Sequence, residues 1–258
     1  MSILGPSARL VGNRINRKED PRLLTGQGLY VDDGAVPGVL HVAFARSDIA
    51  RGRIVDVDVA EARDATGVVA VLTAADLNHL LVGPMGATPM LSMGPAGPNK
   101  VLADDEVRYV GDPYALVVAE SRALAEDAVE LIVLDVEPLP PVADYMTALA
   151  STERVHPDLD TNVAGAMPMP ADEELRHILT TAPHVVTDTF VQNRYLPVPM
   201  ETRGIVAWWQ PRAASFDVWL STQSPHDART VTSRITGVPE GHVRVRMGDV
   251  GGGFGQKA

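Results

Sequence analysis

Residues Val243 to Gly255 constrain this chain more than any other stretch. Val243, Val245 and Met247 alternate with Arg244, Arg246 and Gly248, the period-2 pattern of a half-buried strand. That strand runs into Gly251, Gly252 and Gly253, then Phe254 and Gly255. Glycines let the main chain adopt positive φ and let another group approach it closely. Successive N–H groups in such a turn form a concavity suited to an anion. An apolar strand leading in, and an aromatic within, set this stretch apart from a flexible linker.

Composition limits what the concavity could serve. The net charge of −11 disfavours nucleic acid and anionic membrane as partners, both of which need a basic footprint. Backbone amides can still hold an anionic cofactor. With no cysteine, the chain has no disulfide, no thiolate zinc site, no cysteine nucleophile and no cysteine-ligated iron–sulfur cluster of its own. No run of about 18 apolar residues marks a membrane span, and residues 1–22 lack the apolar core of a secretion signal, so a cytoplasmic location is expected. Its 258 residues suffice for one large or two ordinary domains.

Patterning divides the chain into an arm (1–20), a first domain (21–145) and a second (146–258), with the boundary near 140–150, where Pro138, Pro140 and Pro141 cluster and the patterning lapses. In the first domain, strands are expected at Leu40–Ala45, Ile54–Asp58, Val68–Leu72, Val107–Gly111, Tyr114–Val118 and Leu131–Val136. Helices are expected after an Asp58 cap, at Thr73–Asp76 and from a Ser121 cap through Val129. The Gly-, Pro- and Met-rich stretch Leu81–Asn99, with Met85, Met90 and Met93, reads as a long loop. In the second domain a helix is expected at Asp172–Thr181. Strands are expected at His184–Val191, Gly204–Gln210 and Phe216–Thr222, and a helix from Pro225 closed by Gly237.

Familiar chemical motifs fail here. Gln256 separates Gly255 from Lys257 and Ala258 follows, so no phosphate-binding loop is present. Position 256 is also not the glycine a dinucleotide fingerprint needs. The seven histidines form no metal-binding pair, and no serine lies in a nucleophile elbow. Two polar residues stand out by placement. Gln223 ends a strand just before a helix, where a turn-satisfying amide is the plain alternative. Glu201 would need a cation if buried, with Arg203 or Arg194 at hand, and as a lone residue reads as structural.

The order of these pieces carries more than any one of them. Ser221-Thr-Gln223, a helix, Gly237-Val-Pro239, an alternating strand and Gly251-Gly-Gly-Phe-Gly255 follow in succession. Upstream lie Arg17-Lys-Glu-Asp-Pro-Arg22, Leu40-His-Val-Ala-Phe-Ala-Arg-Ser47, Val107-Arg-Tyr-Val-Gly111 and Pro199-Met-Glu-Thr-Arg203, with Thr202 where proline is usual. Over nearly its whole length the chain resembles the molybdenum subunit of the xanthine dehydrogenase, aldehyde oxidase and carbon monoxide dehydrogenase family. The resemblance implies an α+β fold: an α/β hammerhead domain followed by the first part of a molybdenum-cofactor-binding domain.

It also implies a molybdenum–molybdopterin cofactor, in bacteria the cytosine dinucleotide form. Gln223 would hydrogen-bond an oxo ligand, Phe254 and Gly255 would offer N–H donors, and Gly251, Gly252 and Gly253 would permit close approach. No direct metal ligand and no catalytic base is implied here, because the family's base glutamate lies far beyond the glycine motif. The implied partners are a polypeptide carrying the rest of the molybdenum subunit, an iron–sulfur subunit with 2Fe–2S clusters, a FAD subunit and a small-molecule substrate. The implied activity is oxidation of an N-heteroaromatic or an aldehyde with water as oxygen source, with this chain inactive alone. The alternative is a non-catalytic assembly module of such a complex.

Overall fold

The computed structural model of the chain describes residues 14–34, 36–82, 100–163, 172–193 and 195–257. Most of the Gly/Pro/Met-rich loop, most of the arm, and Arg194 lie outside them. A short helix, α1 (Asp20–Leu24), with Pro21 in its first turn, spans the junction between the arm and the first domain.

Residues 41–138 form the first unit: β1 (His41–Arg46), β2 (Gly52–Asp58), α2 (Ala60–Asp64), β3 (Val68–Thr73), α3 (Ala74–Leu77), β4 (Glu106–Val107), β5 (Pro113–Ala119), α4 (Arg122–Val129) and β6 (Val133–Pro138). Two three-stranded antiparallel sheets result, ordered β1-β5-β3 and β4-β2-β6. Central β5 reads as an unbroken apolar run because it is paired on both edges and covered by α4; Ala115, Val117 and Ala119 are fully buried. Ala62, Ala125 and Ala128 bury the facing sides of α2 and α4, where small side chains let these helices pack closely. Ser121 caps α4 by accepting the Leu124 N–H at 3.3 Å. Thr73 and Asp76 cap α3 reciprocally.

Two expected elements in this unit are displaced. The strand at Val107–Gly111 stops at Val107. The Asp112 carboxylate takes the Arg108 N–H at 2.9 Å, and Gly111, at φ +95°, turns its N–H to Ser47 O at 2.7 Å. Those local bonds replace the ladder. The cap of α2 is Val59 rather than Asp58, whose carboxylate instead accepts the Ala60 N–H.

The second unit contains α5 (Glu173–Thr181), β7 (Ile205–Gln210), β8 (Ser215–Leu220), α6 (Pro225–Thr236) and β9 (Val243–Arg246). β7 and β8 are an antiparallel pair, and β9 lies parallel to β8 on its other edge. Parallel neighbours need a crossover, which α6 supplies. Gly237 ends α6 at φ +72°, with its N–H on Ser233 O. The β8–α6–β9 unit thus brings two chain ends to one edge of the sheet: residues 221–224 after β8 and residues 247–257 after β9.

The expected strand at His184–Val191 does not form. The segment is exposed, and it pairs with nothing among the described residues.

Candidate functional site

The stretch after β9 is anchored by long-range bonds at Asp249, Gly251, Gly255 and Lys257. Asp249 is gripped by the α1 region: both Arg22 guanidinium nitrogens donate to its carboxylate at 2.5 Å, and the Leu29 N–H adds a third bond at 2.9 Å. The Asp249 N–H returns to Leu29 O at 2.9 Å. Arg22 and the Leu29 N–H hold the Asp249 carboxyl well down, at about 2. Gly248 is required in this bridge, because a Cβ there would fall inside contact distance of the Leu29 carbonyl.

Gly251 is held from the other side by Glu201. One Glu201 oxygen accepts from Ser221 Oγ at 2.7 Å, Gly251 N–H at 2.8 Å and Lys257 Nζ at 2.9 Å. The other accepts the Val31 N–H at 3.3 Å. Lys257 Nζ also donates to the Glu201 carbonyl at 2.8 Å, and its side chain is fully buried. Burial alone would raise the Glu201 carboxyl. The Ser221, Gly251, Lys257 and Val31 donors outweigh it and hold the group at about 2. The expected pairing with Arg203 or Arg194 is therefore corrected: the cation is Lys257, 56 residues away.

Glu201 titrates from an ordinary 4.5 down to about 2 in the fold. Its contribution to stability is full above about pH 4.5 and is lost as pH falls towards 2. In urea titrations the fall in unfolding free energy across that window should be shallower in Glu201→Gln than in the parent. Asp249, Asp76, Asp105 and Glu240, whose carboxyls are also held down, contribute to the slope that remains. An unchanged slope would exclude Glu201 as a titrating clamp.

Between the two clamps the glycine run meets Gln223. Gln223 Oε1 accepts the Gly255 N–H at 3.0 Å, and its backbone N–H donates to Lys257 O at 2.6 Å. Thr222 Oγ1 donates to the same carbonyl at 3.0 Å and receives the Ser224 N–H at the start of α6. Gly253 packs directly on the amide: a Cβ there would lie 2.5 Å from Gln223 Cδ and Oε1. The turn Gly253–Gln256 closes with a 2.9 Å bond. Its central residues, Phe254 (φ +49°) and Gly255 (φ +83°), have the sign pattern of a type I′ turn. A non-glycine residue such as Phe254 in that region costs about 1–3 kcal/mol. Its ring is largely exposed and lies back over Gly252, which also abuts Pro199.

All six expected site residues therefore converge in one loop cluster. The Gly255 N–H, expected to serve a ligand, is used by Gln223. Among the described residues, the amides of Gly252, Gly253 and Phe254 and the Gln223 NH2 have no partner. These are donors only, so the cluster suits an anionic or oxo-bearing group and offers no side-chain metal ligand. Glu201 and Lys257 are the members that residue-by-residue reading undervalued.

Known proteins share this arrangement of sequence. Residues 25–140 match the family described as "Aldehyde oxidase and xanthine dehydrogenase, a/b hammerhead domain", and residues 155–258 match "Molybdopterin cofactor-binding domain". The chain is 38% identical over 249 residues to the nicotine 6-hydroxylase large subunit of Paenarthrobacter nicotinovorans, covering 96% of this chain and 30% of that protein. It is 37% identical over 255 residues to the carbon monoxide dehydrogenase large chain of Hydrogenophaga pseudoflava, covering 93% and 31%. The crystal structure of quinoline 2-oxidoreductase from Pseudomonas putida 86 superposes with a TM-score of 0.83 at 38% identity, covering 95% of this chain and 31% of that one. The chain thus spans about a third of the length of these relatives.

Proposed function

The chain belongs to the aldehyde oxidase and xanthine dehydrogenase family of molybdenum hydroxylases, and from that premise we propose that it supplies one wall of the cofactor site in such an enzyme. The observation that carries this reading is a set of donors without partners among the described residues: the Gly252, Gly253 and Phe254 amides beside the Gln223 NH2. Their chemistry fits a group presenting oxo and phosphate oxygens. When bound, the molybdenum–molybdopterin cofactor supplies two-electron oxidation with water as oxygen source. In this chain Gln223 would donate to an oxo ligand, the glycine run would lie against the cofactor, and the Glu201–Lys257 and Arg22–Asp249 clamps would fix both.

The substrate we infer is an N-heteroaromatic or an aldehyde. The first class draws support from relatives named for nicotine and quinoline. The remaining two thirds of the subunit would complete the site, and iron–sulfur and FAD subunits would carry electrons away, so residues 1–258 by themselves would be inactive. We place the division between its two domains at 145/146.

The test uses the assembled complex. Molybdenum should be stoichiometric with this chain in the parent. Gln223→Ala should lower hydroxylation by about 10²-fold, the scale for loss of one donor at a reacting oxygen, with assembly intact. Loss of assembly with unchanged turnover per molybdenum would instead support the assembly-module reading.

A further inference from the structure

Gln223 is exposed, yet its place is set by a buried neighbour. Thr222, just past the end of β8, is 4% exposed. Its hydroxyl makes two bonds at once: it donates to Lys257 O at 3.0 Å and accepts the Ser224 N–H at 3.0 Å. One oxygen therefore joins the far end of the glycine loop to the start of α6, and Gln223 lies between the two joined points. Ser224 is the cap residue of α6 but makes no side-chain cap bond of its own, so the Thr222 hydroxyl is the side-chain group that pins this helix start. Lys257 O takes a second donor, the Gln223 N–H at 2.6 Å. At such burial water cannot replace the hydroxyl, and removing it strands the Ser224 N–H without its acceptor. The hydroxyl bonds to none of the donors at the cofactor-facing edge; it acts on where they lie.

We propose that Thr222 is a positioning residue, whose hydroxyl sets the Gln223 NH2 against the amides of Gly252, Gly253 and Phe254 so that the two halves of the donor edge meet one ligand. The proposal rests on the cofactor-wall reading above. Valine has the shape of threonine but makes neither bond. In Thr222→Val, Gln223 keeps its backbone bond to Lys257 O and its side-chain bond from the Gly255 N–H, but the tie between loop and helix is gone. Thr236 supplies an internal comparison. Its hydroxyl also donates to a carbonyl, Thr232 O at 2.7 Å, and also accepts an amide just ahead of it, the Val238 N–H at 3.3 Å, but at the opposite end of α6.

The experiment compares the assembled, molybdenum-loaded enzyme with its Thr222→Val, Thr222→Ser and Thr236→Val forms. Thr222→Val should lower kcat by about 10-fold or more, on the scale of misplaced catalytic contacts. Its KM should stay within about 2-fold of the parent's, because only the placement of the edge has changed. Molybdenum content should be unchanged. Amide hydrogen exchange, which needs no turnover, should be about 10-fold faster at Ser224 and Gly255 in Thr222→Val. Thr222→Ser keeps the hydroxyl and should restore both readings. Thr236→Val should melt at a lower temperature than the parent with kcat unchanged. Thr222→Val combined with Gln223→Ala should be no slower than Gln223→Ala alone. Unchanged kcat or exchange in Thr222→Val, an equal kcat loss in Thr222→Ser or Thr236→Val, or losses that multiply in the double variant would each overturn the proposal. Failure of Thr222→Val to assemble would also overturn it, by making Thr222 a residue of the fold alone. If Gln223→Ala itself leaves kcat unchanged, the cofactor-wall reading fails and takes this proposal with it. If Gln223→Ala is slow and Thr222→Val is not, the positioning role fails and the cofactor wall stands.

Discussion

Lys257→Met should destabilise the second unit by about 3–5 kcal/mol, the cost of stranding a buried charge once its partner is removed. The Lys257 side chain is wholly inaccessible and Glu201 is 14% exposed, so water cannot replace the lost cation well. Ser221 and the Gly251 and Val31 amides would still donate to Glu201, but none carries charge. Glu201→Gln should cost a comparable amount, because it strands the wholly buried Lys257 ammonium with only the neutral Glu201 carbonyl at 2.8 Å. The double variant Glu201→Gln with Lys257→Met should be much more stable than the sum of the singles, since no uncompensated charge remains. Arg229–Glu240 is the contrast. It has a similar 2.9 Å contact, but both side chains are 43% exposed, and Arg229→Ala should leave urea stability unchanged within error. A Lys257→Met cost below about 1 kcal/mol, or strict additivity in the cycle, would show that the pair does not clamp the loop.

What the sequence revealed, and what it hid, follows the range of the interaction concerned. The β1, β2, β5, β7, β8 and β9 strands were readable because alternation or an apolar run is written in five to seven consecutive residues. Helices α4 and α6 were readable because Ser121, Pro225 and Gly237 mark their ends within a turn. The Gly253–Gln223 contact was legible only through the order of motifs; taken alone, Gln223 reads as a turn amide. Residues 184–191 show the same limit from the opposite side. Their pattern is that of a strand, but a strand needs a neighbour, and none of the described residues supplies one. The Glu201 partner could not be found locally at all. Arg203 is two residues away, yet the fold delivers Lys257 through the β8–α6–β9 crossover. Nothing local announced that Asp249 would be held by Arg22, 227 residues before it.

Gly253→Ala should lower turnover of the assembled enzyme about as far as Gln223→Ala does, on the order of 10²-fold, the penalty for misplacing a catalytic contact by about 1 Å. The reason is steric and local. The new Cβ would sit 2.5 Å from Gln223 Cδ and Oε1 and 2.7 Å from Cγ, closer than real side chains come. Gln223 cannot slide away with its backbone, which is tied to Lys257 O at 2.6 Å. The amide must rotate, releasing the Gly255 N–H and moving the NH2 from its place beside the glycine run. Overpacking of this kind should also cost about 1–3 kcal/mol in stability. Gly255→Ala probes a different effect, because its Cβ would meet nothing and only its φ of +83° is strained; it should cost stability with a smaller loss of turnover. Gly241→Ala has neither a clash nor a positive φ and should be silent. The decisive variant is Gln223→Ala combined with Gly253→Ala. Once Gln223 is shortened, the added methyl has room, so the double should be no less stable and no less active than Gln223→Ala alone. If the two losses instead multiply, Gly253 acts through something other than Gln223, and the pairing of these residues into one cofactor-facing edge fails.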